Sequence, residues 1–161
     1  MTVKQKISTY LWFDGQAEEA VNLYTSIFPG SRIVDTVRYG ASGPGPAGTV
    51  MSMTFELFGQ RFFALNGGPQ YKFTPAISLF VSCDTQEELD GYWEKLLAGG
   101  GMEVQCGWLQ DRFGLSWQII PTALMEVLGD PDPARSGRAM KAMLGMQKLD
   151  IAALRRAHAG A

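Results

Sequence analysis

The chain has 161 residues, a length that buries roughly 70% of the surface its unfolded form exposes without help from disulfides or a metal. Hydrophobic residues make up 46% and charged residues 19%, which excludes a disordered or fibrous chain. Lys plus Arg number 14 against 16 Asp plus Glu, a net charge of -2 dispersed along the sequence, so a basic footprint for nucleic acid is missing, and the single histidine, His158, removes most zinc, non-haem iron and histidine-base chemistry.

The first residues, Met1 to Lys6, lead into a strand without an apolar signal region, and no apolar run approaches the ~18 residues of a membrane span. A cytoplasmic protein is the expectation, with Cys83 and Cys106, too far apart for a CxxC pair, as reduced thiols. A strand is predicted over Ile7 to Phe13, followed by Asp14 as an N-cap and a helix whose apolar positions are Ala17, Ala20, Val21, Tyr24, Ile27 and Phe28. Pro29-Gly30 stops that helix. Arg32 to Tyr39 reads as a second strand, Gly40 to Gly48 as a loop, and the alternation of Met51, Met53, Phe55 and Leu57 with polar residues as a half-buried third. After the turn at Phe58-Gly59 a fourth strand runs from Gln60 to Asn66.

The pattern then restarts. Ala76 to Ser82 is strand-like, Thr85 and Glu88 form a capping box, and Leu89, Tyr92, Trp93, Leu96 and Leu97 make the stripe of a second helix. Tyr24, Ile27, Phe28 and Gly30 align with Trp93, Leu96, Leu97 and Gly99 at a constant offset, and Phe113-Gly114 echoes Phe58-Gly59, so an internal repeat is the simplest explanation. The expected architecture is α+β: one domain, 1–161, made of a βαβββ module over 5–66, a second over 76–121, and a helical extension over 122–161. In that extension Thr122, Asp132 and Asp150 are expected caps and Gly129 and Gly145 stops.

Three stretches carry a family likeness: Leu11-Trp12-Phe13-Asp14-Gly15-Gln16-Ala17-Glu18-Glu19-Ala20; Ala64-Leu65-Asn66-Gly67-Gly68-Pro69; and Cys106 to Leu109 followed by Asp111 to Gln118. With the paired modules they resemble the vicinal oxygen chelate, or glyoxalase/bleomycin-resistance, superfamily, and within it the PhnB-like branch, whose members are often labelled 3-demethylubiquinone-9 3-methyltransferase. The resemblance implies two curved mixed sheets with a ligand in their concavity, and a homodimer. In the superfamily's metalloenzymes inward His and Glu side chains hold a divalent metal. The corresponding positions here fall near Thr9, Ala64 to Asn66, Ala76 and at Gln118, and offer neither a histidine nor a carboxylate. No metal and no other cofactor is therefore expected.

Gly43 to Gly48 matches G-x-G-x-x-G, yet two of the six residues are prolines without N–H groups and an alternating strand follows, so a hairpin loop is expected instead of a phosphate cradle. The same absence of a strand-glycine-helix segment counts against a Rossmann-type S-adenosylmethionine pocket. Asp111 and Arg112 read as a solvated turn, and Cys106 as a thiol without an activating base, retained as the one candidate reactive group. Asn66 and Gln118 are expected as polar anchors and Trp12, Phe73, Trp108 and Trp117 as walls of a ligand site. The reading is a metal-independent small-molecule-binding protein or an enzyme of unknown reaction. A quinone methyltransferase, as the family label implies, and a divalent-metal lyase or dioxygenase are the alternatives. Neither nucleic acid nor membrane is an expected partner.

Overall fold

A computed structural model describes residues 4–161. The chain divides into two compact units, Met1–Phe73 and Thr74–Ala161.

The first unit holds β1 (Thr9–Phe13), α1 (Ala17–Ile27), β2 (Arg32–Arg38), β3 (Val50–Leu57) and β4 (Gln60–Asn66), forming a sheet in the order β1-β4-β3-β2. β1 lies parallel to β4 and the other neighbours are antiparallel, so the sheet is mixed. Its core is the apolar face of α1 (Ala17, Ala20, Val21, Tyr24 and Ile27, all buried) against the alternate strand residues Leu11, Phe13, Met53, Phe55 and Ala64. Phe58 (φ 49) and Gly59 (φ 76) form the tight turn between β3 and β4, both in the left-handed region that a two-residue hairpin requires.

The second unit repeats the plan with β5 (Ser78–Cys83), α2 (Gln86–Leu97), β6 (Met102–Glu103), β7 (Trp108–Gln110) and β8 (Ser116–Pro121), in the order β5-β8-β7-β6 with β5 parallel to β8. This is the α+β arrangement of two four-stranded mixed sheets expected from the repeat, and neither sheet closes on itself. Leu89, Tyr92, Trp93 and Leu96 of α2 are buried. The Thr85 hydroxyl accepts from the Glu88 N–H at 3.2 Å, and the Glu88 carboxylate reaches back to the Asp84 N–H at 3.2 Å, completing the predicted box one residue early.

After β8 come α3 (Thr122–Leu128), α4 (Pro133–Leu144) and α5 (Ile151–Ala159). Asp132 and Asp150 cap α4 and α5 as expected, accepting from Ala134 and Ala153 N–H groups at 2.9 Å each. Two expected caps fail. Thr122 is the first helical residue of α3, and Pro121 takes the cap position without a side-chain bond. Asp14 stands two residues before the Gln16 cap of α1, because Gly15 (φ 81) turns the chain first and Asn66 of β4 supplies the acceptor. No helix among the described residues is long and apolar enough to cross a membrane.

Candidate functional site

Paired residues on neighbouring strands share a sheet face, so register decides which side chains stand opposite the helix. In the first unit Tyr10 pairs with Phe63 and Trp12 with Leu65, on the face away from α1. Tyr10 and Phe63 stack at 5.5 Å between centroids, and Trp12 meets Tyr71 edge to face at 5.0 Å. The Trp12 indole Nε1 donates to the Gly68 carbonyl at 2.8 Å, and a Cβ on Gly67 would collide with the same ring. Gly67 thus leaves room for the indole to lie against the backbone, while Gly68 supplies a left-handed turn (φ 103) beside Gln70. Phe73 meets Phe13 edge to face at 5.2 Å, and so touches a ring of the core.

Asn66 points to the opposite side from Trp12. Its Oδ1 accepts from the Ala17 N–H at 2.9 Å, satisfying an orphan donor at the start of α1, and its Nδ2 donates to the Val50 carbonyl at 3.0 Å. Both ends of this amide are engaged in holding β4, α1 and β3 together. It nevertheless borders a cavity of about 640 Å³ between the β1–α1 turn and the Gly40–Thr49 loop, with Arg38, Tyr39, Glu18 and Gly68 among its walls. Tyr39 donates its hydroxyl to the Asn66 carbonyl at 2.6 Å, and its ring fills the space a Cβ on Gly45 would need. The glycine-proline loop therefore joins two antiparallel strands and packs on a tyrosine; no helix begins after it.

In the second unit Gln118 of β8 lies between Phe80 of β5 and Trp108 of β7, one row across three strands on the face away from α2. Phe80 is 55% exposed, and Gln118 donates from Nε2 to the Ser78 hydroxyl at 2.9 Å. Sequence reasoning reached Gln118 and Trp108 but passed over Phe80 and Ser78; the alternation in Ser78–Cys83, once aligned with β8, is the signal that finds them. Trp117 faces the other way, 1% exposed beneath α2, with its Nε1 donating to Asp111 Oδ2 at 2.9 Å. Asp111 is itself 3% exposed and also accepts from the Phe113 and Leu115 N–H groups, which corrects the expectation of a solvated turn. Its carboxylate organises the β7–β8 turn from inside.

Cys106 is half-buried with φ 60, its N–H donating to the Met146 carbonyl at 2.8 Å. Cys83 is buried, and that burial, reinforced by Glu88 and Asp84, pushes its thiol up to about 12, so it stays protonated and unreactive at neutral pH.

A divalent ion does not fit the side chains at these positions. Thr9, Ala64 and Asn66 lie on the α1 side of their sheet, Gln118 offers one neutral amide, and among the described residues no three His, Cys, Asp or Glu side chains are grouped to hold an ion.

The model of the 3-demethylubiquinone-9 3-methyltransferase family matches residues 5–120. The PhnB protein of Bacillus cereus is 43% identical over 73% of this chain and 100% of its own, with a TM-score of 0.69. Protein PA1353 of Pseudomonas aeruginosa shares the fold at 21% identity over 73% of this chain and 98% of its own, TM-score 0.61. The fosfomycin resistance protein FosX of Listeria monocytogenes, in its complex with Mn(II) and sulfate, shares it at 13% identity over 80% and 98%, TM-score 0.51. No curated protein matches the chain.

Proposed function

Because this chain belongs to the 3-demethylubiquinone-9 3-methyltransferase family, on the vicinal oxygen chelate fold, we propose that it binds a flat, mostly apolar small molecule on the open faces of its sheets without a resident divalent ion. The observation that carries this reading is the set of rings on those faces (Tyr10, Trp12, Phe63, Phe80, Trp108) with a neutral amide, Gln118, among them; Glu56, which shares the first sheet's face, is held by Arg32 and Arg61. Aromatic walls with a few placed polar groups suit a planar ligand whose heteroatoms need partners. Of the residues singled out in the sequence, Trp12, Trp108 and Gln118 serve as walls and anchor. Asn66, Phe73 and Trp117 support them from behind. Exposed rings on both sheets also favour a homodimer in which a second copy encloses the ligand, and two unpaired cysteines fit a reducing, cytoplasmic setting.

A methyl transfer onto a quinone is the second reading, favoured by the family's description. It requires a methyl donor, and the loop that spells a nucleotide fingerprint is a hairpin connection without a following helix. One thermal-shift panel separates the readings: 2-naphthol and a short-chain benzoquinone are expected to raise the melting temperature with the logarithm of their concentration above Kd, and S-adenosylmethionine and Mn(II) to leave it unchanged. Saturable S-adenosylmethionine binding would replace the first reading by the second. Stoichiometric Zn, Ni, Fe or Mn in the purified protein would remove both.

A further inference from the structure

The open face of the second sheet carries two adjacent rows of different chemistry. One is Phe80, Gln118 and Trp108; the next, two residues along each strand and roughly 7 Å away, is Ser78, Ser116 and Gln110. All six side chains are uncharged. Ser116 is 1% exposed, and its hydroxyl has no hydrogen-bond partner among the described residues, although Ser78 beside it is taken by Gln118 at 2.9 Å. A buried hydroxyl without a partner is unfavourable, and folded proteins leave few of them. This one stands between Ser78 and Gln110, in the row next to Gln118, the exposed Phe80 and the half-buried Trp108.

We propose that the two rows form one subsite for a neutral planar aromatic carrying a ring hydroxyl. The inference rests on the ligand-binding reading above and specifies its chemistry. Phe80 and Trp108 flank Gln118 on strands roughly 10 Å apart, a span that suits one or two fused rings lying across the amide. Displacement of Gln110 lets the ligand's hydroxyl meet Ser116 Oγ, which is able both to donate and to accept, while Gln118 Oε1 takes a second in-plane donor. An anionic ligand is disfavoured, because this surface offers no countercharge for a group that must lose its water.

Calorimetric titration of the full chain with 2-naphthol and with 2-naphthoate tests this on the native protein, Ser116→Ala, Gln118→Leu and Trp12→Ala. The expected result is 2-naphthol binding that is weakened about five- to tenfold by Ser116→Ala or Gln118→Leu, more than by Trp12→Ala, and at least tenfold tighter than that of 2-naphthoate. Without ligand, Ser116→Ala is expected to melt no lower than the native chain, since it removes an unsatisfied group; a lower melting point would mean that the hydroxyl has a structural partner and would overturn the assignment. Binding lost in Trp12→Ala but kept in the other two variants would move the site to the first sheet, ending this inference while leaving the ligand-binding reading intact. No binding to the native chain would end both.

Discussion

Asp111, 3% exposed, holds the β7–β8 turn through its carboxylate. A carboxylate before Arg-Phe-Gly reads as a turn residue facing water, yet here it is a buried acceptor for two backbone N–H groups and the indole of Trp117. Nothing in the local spelling announces this, because the third donor lies across the turn on the next strand and its direction depends on register. Replacing Asp111 by Ala leaves three inward donors without a partner, and is expected to cost about 3 kcal/mol in urea unfolding. Asp111→Asn keeps one acceptor oxygen and should cost less. If Asp111→Ala unfolds at the native midpoint, the carboxylate is not what holds the turn. Asn66 makes a related point: its strand-end position was readable, but not that its amide would cap a helix 49 residues earlier in the chain, a partnership created only when β4 slots beside β1.

Periodicity located nearly every element, since stripes at helical spacing and alternation at strand spacing come directly from which side chains need burial. Boundaries moved where tertiary donors replaced local ones, as at Asp14 and Thr122. The short strands β6 and β7 were harder to read, because two or three residues cannot display a period. Docking of the last helix was not legible at all. Gln86, at the start of α2, donates to the Leu149 carbonyl at 3.0 Å and accepts from the Ile151 N–H at 2.8 Å, so a single amide bridges the chain leading into α5. Gln86→Ala is expected to lower stability by about 1–2 kcal/mol, and to speed hydrogen exchange at Ile151 and its neighbours more than in β8. Uniform exchange throughout the unit would argue against a local clasp. Gly101 is similarly constrained, with a Cβ there falling 2.7 Å from the Leu97 Cα and 2.9 Å from the Gln110 carbonyl.

At the scale of the molecule, the buried thiol of Cys83 ties stability to alkaline pH. Its pKa is raised from 9.0 to about 12 in the folded chain, chiefly by burial, so the folded state holds its proton more tightly than the unfolded state does. That contribution is intact below pH 9 and is lost as pH climbs from 9 toward 12. Cys83→Ala is expected to show a shallower decline of melting temperature across this interval than the native chain; parallel declines would assign the loss to other groups. The family and its fold were legible from three local stretches of sequence and the doubled module. The open face was only half legible, since a ligand row assembled from three strands has no contiguous spelling.

The outer strand β2 has a consequence for how these molecules tolerate crowding. All seven of its residues are exposed, its ladder with β3 slips register twice, and Arg32, Asp35 and Arg38 stand along it. A flat rim without charge would invite the next molecule to extend the ladder indefinitely, whereas this one, although it shows Ile33, Val34 and Val37 to solvent, is kinked and interrupted by charges, a poor template for fibril growth. Straightening or neutralising it would leave the folded interior untouched while exposing the protein to aggregation at high concentration.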